Sequence, residues 1–327
     1  MSVIEVVWMV AKILIVFAVL LLAMAYLTLV ERRFVAWFQW RVGPNRVGPL
    51  GLIQPIADGV KLLFKQELIP AKADKFVYFL APAITLIAAF AIISVIPITE
   101  HFYIADVNVA ILLVLAISSL GTYGIILAGW SSGSKYPLVS GLRACAQMIS
   151  YELALGFAVI GVVLMAGTFS LREIVLGQER IWYFIPQILG FVVFLIAGVA
   201  ETNRAPFDMP ECENELVAGY HTEYSAMKFA MFYLGEYVAI INVGMLATVL
   251  FLGGWHGPAI FGAGLVGLAN LFWFLLKTCA VIFFFIWIRA TLPRFRYDQL
   301  MRFGWMVLLP LALLNIIITA GIKAFIQ

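Results

Sequence analysis

The chain is poor in the residues that most metal and redox sites require. Among its 327 residues are three cysteines, Cys145, Cys212 and Cys279, and three histidines, His101, His221 and His256. The cysteines lie far apart with no C-x-x-C pair. That argues against an iron–sulfur or structural zinc site and supplies no disulfide framework. Charge is scarce as well: Asp, Glu, Lys and Arg make up 12% of the chain, where a soluble globular domain carries roughly 25%. With 64% apolar residues, the sequence leaves the soluble classes and predicts an all-α, polytopic membrane protein. The net charge of +3 names no partner by itself, and nothing points to nucleic acid.

What the chain has in quantity is apolar runs long enough to span a bilayer. Eight are predicted, near 6–30, 76–97, 107–129, 143–167, 182–200, 227–252, 269–289 and 303–324. Lys12, an apolar run and Ala23-Met24-Ala25 superficially fit a signal peptide, but the run continues to Val30, which suits a retained first span. Internal prolines such as Pro82, Pro186 and Pro310 are tolerable, because membrane neighbours re-satisfy the freed backbone groups. No long soluble segment interrupts the pattern, so residues 1–327 read as a single membrane domain.

Lys and Arg are distributed unevenly between the connections. Arg32, Arg33, Arg41, Arg46, Lys61, Lys65, Lys72 and Lys75 fall in the first. Lys135 and Arg143 lie in or beside the third, Arg204 and Lys228 the fifth, and Arg289, Arg294, Arg296 and Arg302 the seventh. The even-numbered connections hold only Arg172 and Arg180. The positive-inside rule therefore places connections 31–75, 130–142, 201–226 and 290–302 in the cytoplasm and both termini outside. In a bacterial inner membrane, the termini would be periplasmic. Two histidines then fall in outer connections and one in an inner one, leaving no pair in facing helices to ligate a haem. Gly262-Ala-Gly264-Leu-Val-Gly267 matches the dinucleotide fingerprint by letter, yet no strand precedes it and no acid follows about 20 residues on, so it is rejected.

Within the first connection, Arg41-Val-Gly-Pro-Asn-Arg-Val-Gly-Pro49 is a tandem repeat whose Gly-Pro pairs predict consecutive turns. Pro55 to Lys65 then carries Ile56, Val60, Leu63 and Phe64 at helical spacing, with Asp58, Lys61 and Lys65 on the other side. That pattern predicts a short amphipathic helix at the membrane interface, its charges either solvated or lining a cavity.

Ionisable groups in or at the ends of spans are costly, at about 2.5–3.5 kcal/mol each at mid-span on insertion scales, and normally mark ion or proton pathways. Glu31 and Arg32 close the first span, Glu152 lies within the fourth, Glu236 within the sixth and Lys277 within the seventh. Lys277 could equally snorkel or pair. The densest group is the stretch from Glu201 to Tyr224, which packs Glu201, Asp208, Glu211, Glu213, Glu215 and Glu223 around Arg204. Asp208 and Glu211 have the spacing of a helix capping box, which accounts for two of the six acids. Crowded, partly desolvated carboxylates raise one another's pKa and share protons, so the remainder form a plausible coupling device.

These residues resemble the family of the H subunit, also called subunit 1, of respiratory complex I, the proton-translocating NADH:quinone oxidoreductase. The matching blocks are Glu31-Arg32-Arg33, the 41–49 repeat, Gln54-Pro-Ile-Ala-Asp58, Gly141-Leu-Arg-Ala144 with Ile149-Ser-Tyr-Glu152, and Glu201-Thr-Asn-Arg-Ala-Pro-Phe-Asp208. Glu213 to Tyr220, Glu223-Tyr224, Glu236-Tyr237 and Arg294-Phe-Arg-Tyr-Asp298 follow in order. At Lys65-Gln66-Glu67 the chain departs from the many relatives that place Glu directly after the Lys.

The resemblance implies a membrane subunit that forms much of a quinone-access chamber and couples quinone reduction to proton translocation. It implies that Arg32, Asp58, Lys61, Arg143, Arg204, Phe207 and Asp208 line or shape the chamber. Glu31, Glu152, Glu201, Glu211, Glu213, Glu215, Glu223 and Glu236 would form the proton-coupling path. It implies no cofactor and no metal on this chain, with quinone as substrate and NADH, FMN and iron–sulfur clusters held by partner subunits. Implied partners are peripheral-arm subunits carrying the terminal cluster and sharing the quinone site, and small and antiporter-like subunits of the membrane arm. Two alternatives stand beside it: the homologous anchor of a membrane-bound hydrogenase or formate hydrogenlyase, and a stand-alone ion-coupled transporter. The transporter predicts internal repeats, and no convincing one is visible.

Overall fold

At membrane depth every backbone N–H and C=O must find its partner within the protein, and a helix does this locally. The computed structural model describes residues 3–210, 216–258 and 266–326, and none of these is in a strand. In chain order the helices are α1 (Val3–Phe38), α2 (Gln54–Phe64), α3 (Lys75–Ile93), α4 (Ala110–Ser131), α5 (Lys135–Ala166) and α6 (Leu171–Leu176). They continue with α7 (Ile188–Glu201), α8 (Ala226–Leu250), α9 (Val266–Thr291), α10 (Tyr297–Phe303) and α11 (Leu309–Ile326). A π-helical turn, Gly304–Leu308, joins α10 to α11. Seven helical segments among the described residues are long and apolar enough to cross a membrane, and α7 is a shorter apolar helix of 14 residues. The protein is all-α and polytopic.

Several boundaries differ from the hydropathy reading, each for a local reason. The fourth span begins at Lys135 rather than near 143, because Pro137 sits in the first turn, where its missing N–H costs nothing. Arg143 is therefore inside α5, and the third connection shrinks to a few residues. The fifth span begins at Ile188, because Pro186 cannot sit in a helix interior without losing a bond and clashing one turn back. The last span starts earlier, at Tyr297, and the wide turn at 304–308 directly precedes Pro310, whose ring a regular helix would not accommodate. Asp74 caps α3, its carboxylate accepting from the amides of Phe76 (3.2 Å) and Val77 (3.5 Å).

The odd-numbered connections meet at one end of the bundle, the end that the charge bias predicts to be inner. The amide of Asp74 donates to the Ser131 carbonyl (3.0 Å), that of Leu68 to Ser225 Oγ (3.0 Å) and that of Phe295 to the Pro206 carbonyl (3.3 Å). Ser140 Oγ donates to the Pro210 carbonyl (2.6 Å), and the Tyr78 hydroxyl to the Glu223 carbonyl (2.7 Å). Buried Lys228 reaches Glu67 at 2.9 Å and ties the first connection to α8. Opposite, the even-numbered connections meet: the amide of Phe184 donates to the Phe251 carbonyl (2.9 Å), and Gln178 Nε2 to the Val249 carbonyl (2.8 Å). Lys277 rises into this outer end from α9 and donates to the carbonyls of Leu252 (2.6 Å), Gly254 (3.1 Å) and His256 (2.5 Å), with its ammonium 4.2 Å from the Trp182 ring centre. Of the two roles open to it from sequence, Lys277 takes pairing.

Helix contacts rely on small residues. Where α4 meets α5, a methyl added at Gly129 would lie 2.6 Å from the Pro137 carbonyl oxygen and 3.3 Å from the Gly141 Cα. Only glycine lets the backbones approach this closely. α2 packs beside α1 and α8 but buries none of its residues. Its Ile56, Val60, Leu63 and Phe64 remain exposed, as an interfacial helix requires.

Candidate functional site

The inner end of the bundle gathers most of the predicted polar residues around Arg204. This arginine follows α7, in the stretch 202–210 that has irregular backbone yet is largely buried. Its guanidinium lies 3.3 Å from Glu31 Oε1 and 4.0 Å from Glu236 Oε2, and its centre lies 4.4 Å from the Tyr237 ring centre. Glu31 also accepts from Arg289 and from the Tyr237 hydroxyl. Tyr233 lies 3.1 Å from the Tyr237 hydroxyl, and the Tyr220 hydroxyl donates to Glu236 (3.1 Å). Burial works against the charged form of Arg204, but Glu31, Tyr237 and Glu236 outweigh it and hold its pKa above the ordinary arginine value. Helices α1, α8 and α9 carry these partners and Arg204 follows α7, so four helices are tied at one buried charge cluster. A small pocket adjoins it, lined by Glu31, Arg204, Tyr237 and Arg289 together with apolar residues such as Leu27 and Phe285.

A second layer of pairs lies toward the inner surface. Arg32 Nη1 reaches Asp58 Oδ2 of α2 at 2.9 Å, and Gln54 supports the same carboxylate at 3.1 Å. Arg294 Nη2 reaches Asp208 Oδ2 at 2.9 Å. Phe207 is buried, stacked on Phe295 with ring centres 5.6 Å apart and tilted against Tyr151. The Arg143 guanidinium lies 5.6 Å from the Tyr297 ring centre. Lys61, one turn beyond Asp58, is exposed. Glu223 is half-buried beside Tyr224, whose ring stacks on Tyr78 with centres 4.1 Å apart. Burial pushes the Tyr224 phenol up to about 12, so it stays neutral and can donate to Ser131 Oγ, 3.2 Å away.

Glu152 and Glu201 form a separate group deeper in the bundle. Glu152, on α5, accepts from Ser119 of α4 at short range and lies 3.4 Å from Ser118 Oγ. Glu201, the last residue of α7, lines a cavity together with Ser118, Thr202 and Asn242.

Glu211, Glu213 and Glu215 lie outside the described residues, as does the Glu211 half of the expected capping box. Asp208, the other half, is engaged by Arg294. Sequence reasoning missed Arg289, Arg294, Tyr237, Ser118 and Ser119 as site residues. Arg289 was visible only as a topological charge, Arg294 and Tyr237 stood in matching blocks without a role, and a serine at helical spacing in an apolar run reads as packing. Among the described residues, no three His, Cys, Asp or Glu side chains cluster as a metal site would need.

The NADH dehydrogenase family model matches residues 11–320. The chain is 51% identical to the NADH-quinone oxidoreductase H subunit of Paramagnetospirillum magneticum over 303 residues, covering 93% of this chain and 88% of that one. It is 51% identical to an H subunit of the same enzyme from Geobacter metallireducens, covering 95% of each chain. With the H subunit from Protochlamydia amoebophila the identity is 52%, covering 91% of this chain and 92% of that one. The chain belongs to the family of NADH-quinone oxidoreductase H subunits, whose members are membrane subunits of respiratory complex I.

Proposed function

We propose that the inner end of this bundle forms part of a quinone chamber, and that its buried carboxylates couple quinone reduction to proton translocation. The observation that carries this reading is the Arg204 cluster. Two acids and two arginines are held together beside an apolar pocket at the end of the spans. An apolar, two-electron, two-proton acceptor suits such a place: its tail is at home among Leu27, Ile240 and Phe285, and its head group needs polar partners.

The pairs Arg32–Asp58 and Asp208–Arg294 would shape the mouth of the chamber, with Lys61, Arg143 and Phe207 around it. A change of charge on the quinone acts on Arg204 and its two carboxylate partners together, because in a partly desolvated cluster the titrations are linked. Glu223, Glu211, Glu213 and Glu215, and then Glu201 and Glu152, would extend the path into the bundle. The chain would hold no redox centre. NADH, FMN and iron–sulfur clusters would sit on peripheral-arm subunits, and the neighbours in the membrane would be the small and antiporter-like subunits. The inner end would face the cytoplasm, with both termini in the periplasm.

The test is Arg204→Lys in the assembled complex. Lysine keeps the charge but loses the planar fork that serves Glu31 and Glu236 together. Quinone reduction by NADH should fall at least tenfold, while NADH oxidation by ferricyanide, which needs no quinone, stays within twofold of parental. Parental quinone reduction in an assembled variant would overturn the reading.

A further inference from the structure

The proton-coupling reading leaves open how charge passes between Glu152 and Glu201, which stand on different helices and face different spaces. Glu152 and Ser119 line an open groove between α4 and α5, together with Leu115, Ile149 and Ile160. Glu201 lines the cavity enclosed by α3, α4, α5, α7 and α8, where Thr202 and Asn242 supply the other polar side chains. Asn242 Nδ2 donates to the Ala89 carbonyl at 2.7 Å, while its buried Oδ1 has no partner. Ser118 also lines that cavity, so its side chain stands at the boundary between the two spaces.

Hydrogen-bond arithmetic at Ser118 is restrictive. A serine hydroxyl has one proton to give and two lone pairs to receive with. Three acceptors stand around it: the Leu115 carbonyl at 2.9 Å, Glu152 Oε1 at 3.4 Å and, lining the same cavity, the Glu201 carboxylate. With both acids ionised, only one of the three is served and two negative charges face each other across one oxygen. With one acid protonated, that acid donates to Ser118 and Ser118 donates to the other. Ser119 cannot substitute, because it lies on the groove side with Glu152.

We infer that Ser118 is the relay through which a proton crosses from Glu152 to Glu201. The inference rests on the proton-coupling role proposed above. A small swing of Glu152 away from Ser119 closes the 3.4 Å gap. The Glu152 proton then moves to Ser118 Oγ as the serine's own proton moves to Glu201. Glu152 is left as the carboxylate, Glu201 becomes the acid, the serine stays neutral and no electron moves. Rotation of the serine hydroxyl resets the link. Leu115 holds that hydroxyl between transfers.

The experiment compares Ser118→Thr with Ser118→Val in purified, reconstituted complex, with Ser118→Ala beside them. Thr and Val have nearly the same shape and differ in the hydroxyl. Val and Ala should lower the rate of quinone-linked proton pumping at least fivefold, with NADH–ferricyanide activity unchanged as a check on assembly. Thr should recover at least half the parental rate and the parental solvent deuterium isotope effect. Should the Val protein not assemble, Ala against Thr decides. Parental pumping in Val or Ala, or a Thr protein as slow as Val, would overturn the relay. Glu152→Gln and Glu201→Gln separate the two levels. If these are impaired while Val and Ala are parental, the relay alone fails. If all of them are parental, the coupling reading of these acids fails with it.

Discussion

Glu31 accepts from two arginines and a tyrosine while barely touching solvent, and this is where single-residue changes should register most strongly. Glu31→Gln leaves Arg204 and Arg289 facing a neutral amide, and breaking a buried ion pair by removing one partner costs about 3–5 kcal/mol. Tyr237→Phe keeps every charge and removes one hydrogen bond to a charged group, about 1.5–3 kcal/mol. Thermal unfolding of the purified complex should therefore rank Glu31→Gln below Tyr237→Phe, and both below parental. Coincident midpoints would show that the cluster does not hold the four helices together. On the arginine side the pairing should be insensitive to ordinary pH. A folded pKa raised above the unfolded one contributes stability that is complete below the ordinary arginine value and is lost only as pH rises beyond it. The acids of this cluster were legible in the sequence because a carboxylate in an apolar span is conspicuous by its cost. Their partners were not: Arg289 obeys the same charge bias as every other inner cation, and Tyr237 is one aromatic among many.

Helices announce themselves through apolar length, so the spans were readable, but their ends were not. Arg143 looked like the boundary of the fourth span, yet the helix runs two turns further back, since long side chains can carry their charge away from an apolar surface. Close approach between helices is a second property the pattern hides, because glycine in an apolar run can mean packing or nothing. At Gly129 it means packing against Pro137 and Gly141. Gly129→Ala should push α4 from α5 and destabilise the protein by about 1–3 kcal/mol, the usual cost of overpacking. Gly156, whose added methyl would meet nothing within 4 Å, is the matched control on α5. Equal unfolding midpoints for the two variants would refute the close-approach argument.

At the scale of the molecule, charge is sorted by end, and the sorting has structural content on both sides. The inner end is knit by several ion pairs; the outer end has the Arg172–Asp106 pair and relies otherwise on backbone carbonyls, three of which accept from the Lys277 ammonium. Lys277→Met keeps the length and apolar stem but withdraws all three donors, leaving buried carbonyls unsatisfied at about 1–3 kcal/mol each. Hydrogen exchange at 250–258 should quicken at least tenfold in that variant, with the inner end unaffected. Unchanged exchange would mean that the lysine is a passenger. Charge bias made the sorting of connections legible from sequence, whereas Lys277 could be assigned a role only once the carbonyls it serves were in place.

α7 has fourteen residues and so spans roughly 21 Å, about 9 Å less than a hydrocarbon layer of roughly 30 Å. The buried stretch from Thr202 to Pro210 takes up the difference without helical structure, which is permissible at that depth because protein surrounds it. In the coupling role proposed above, Glu201 would then lie within the field of the membrane rather than at its edge. A full crossing is worth about 2.3 kcal/mol per elementary charge at 100 mV, so a third of that depth weights each protonation at Glu201 by roughly 0.7 kcal/mol. The membrane voltage would thus act on this acid as a standing bias, tied in the proposed role to the gradient that proton transport would build.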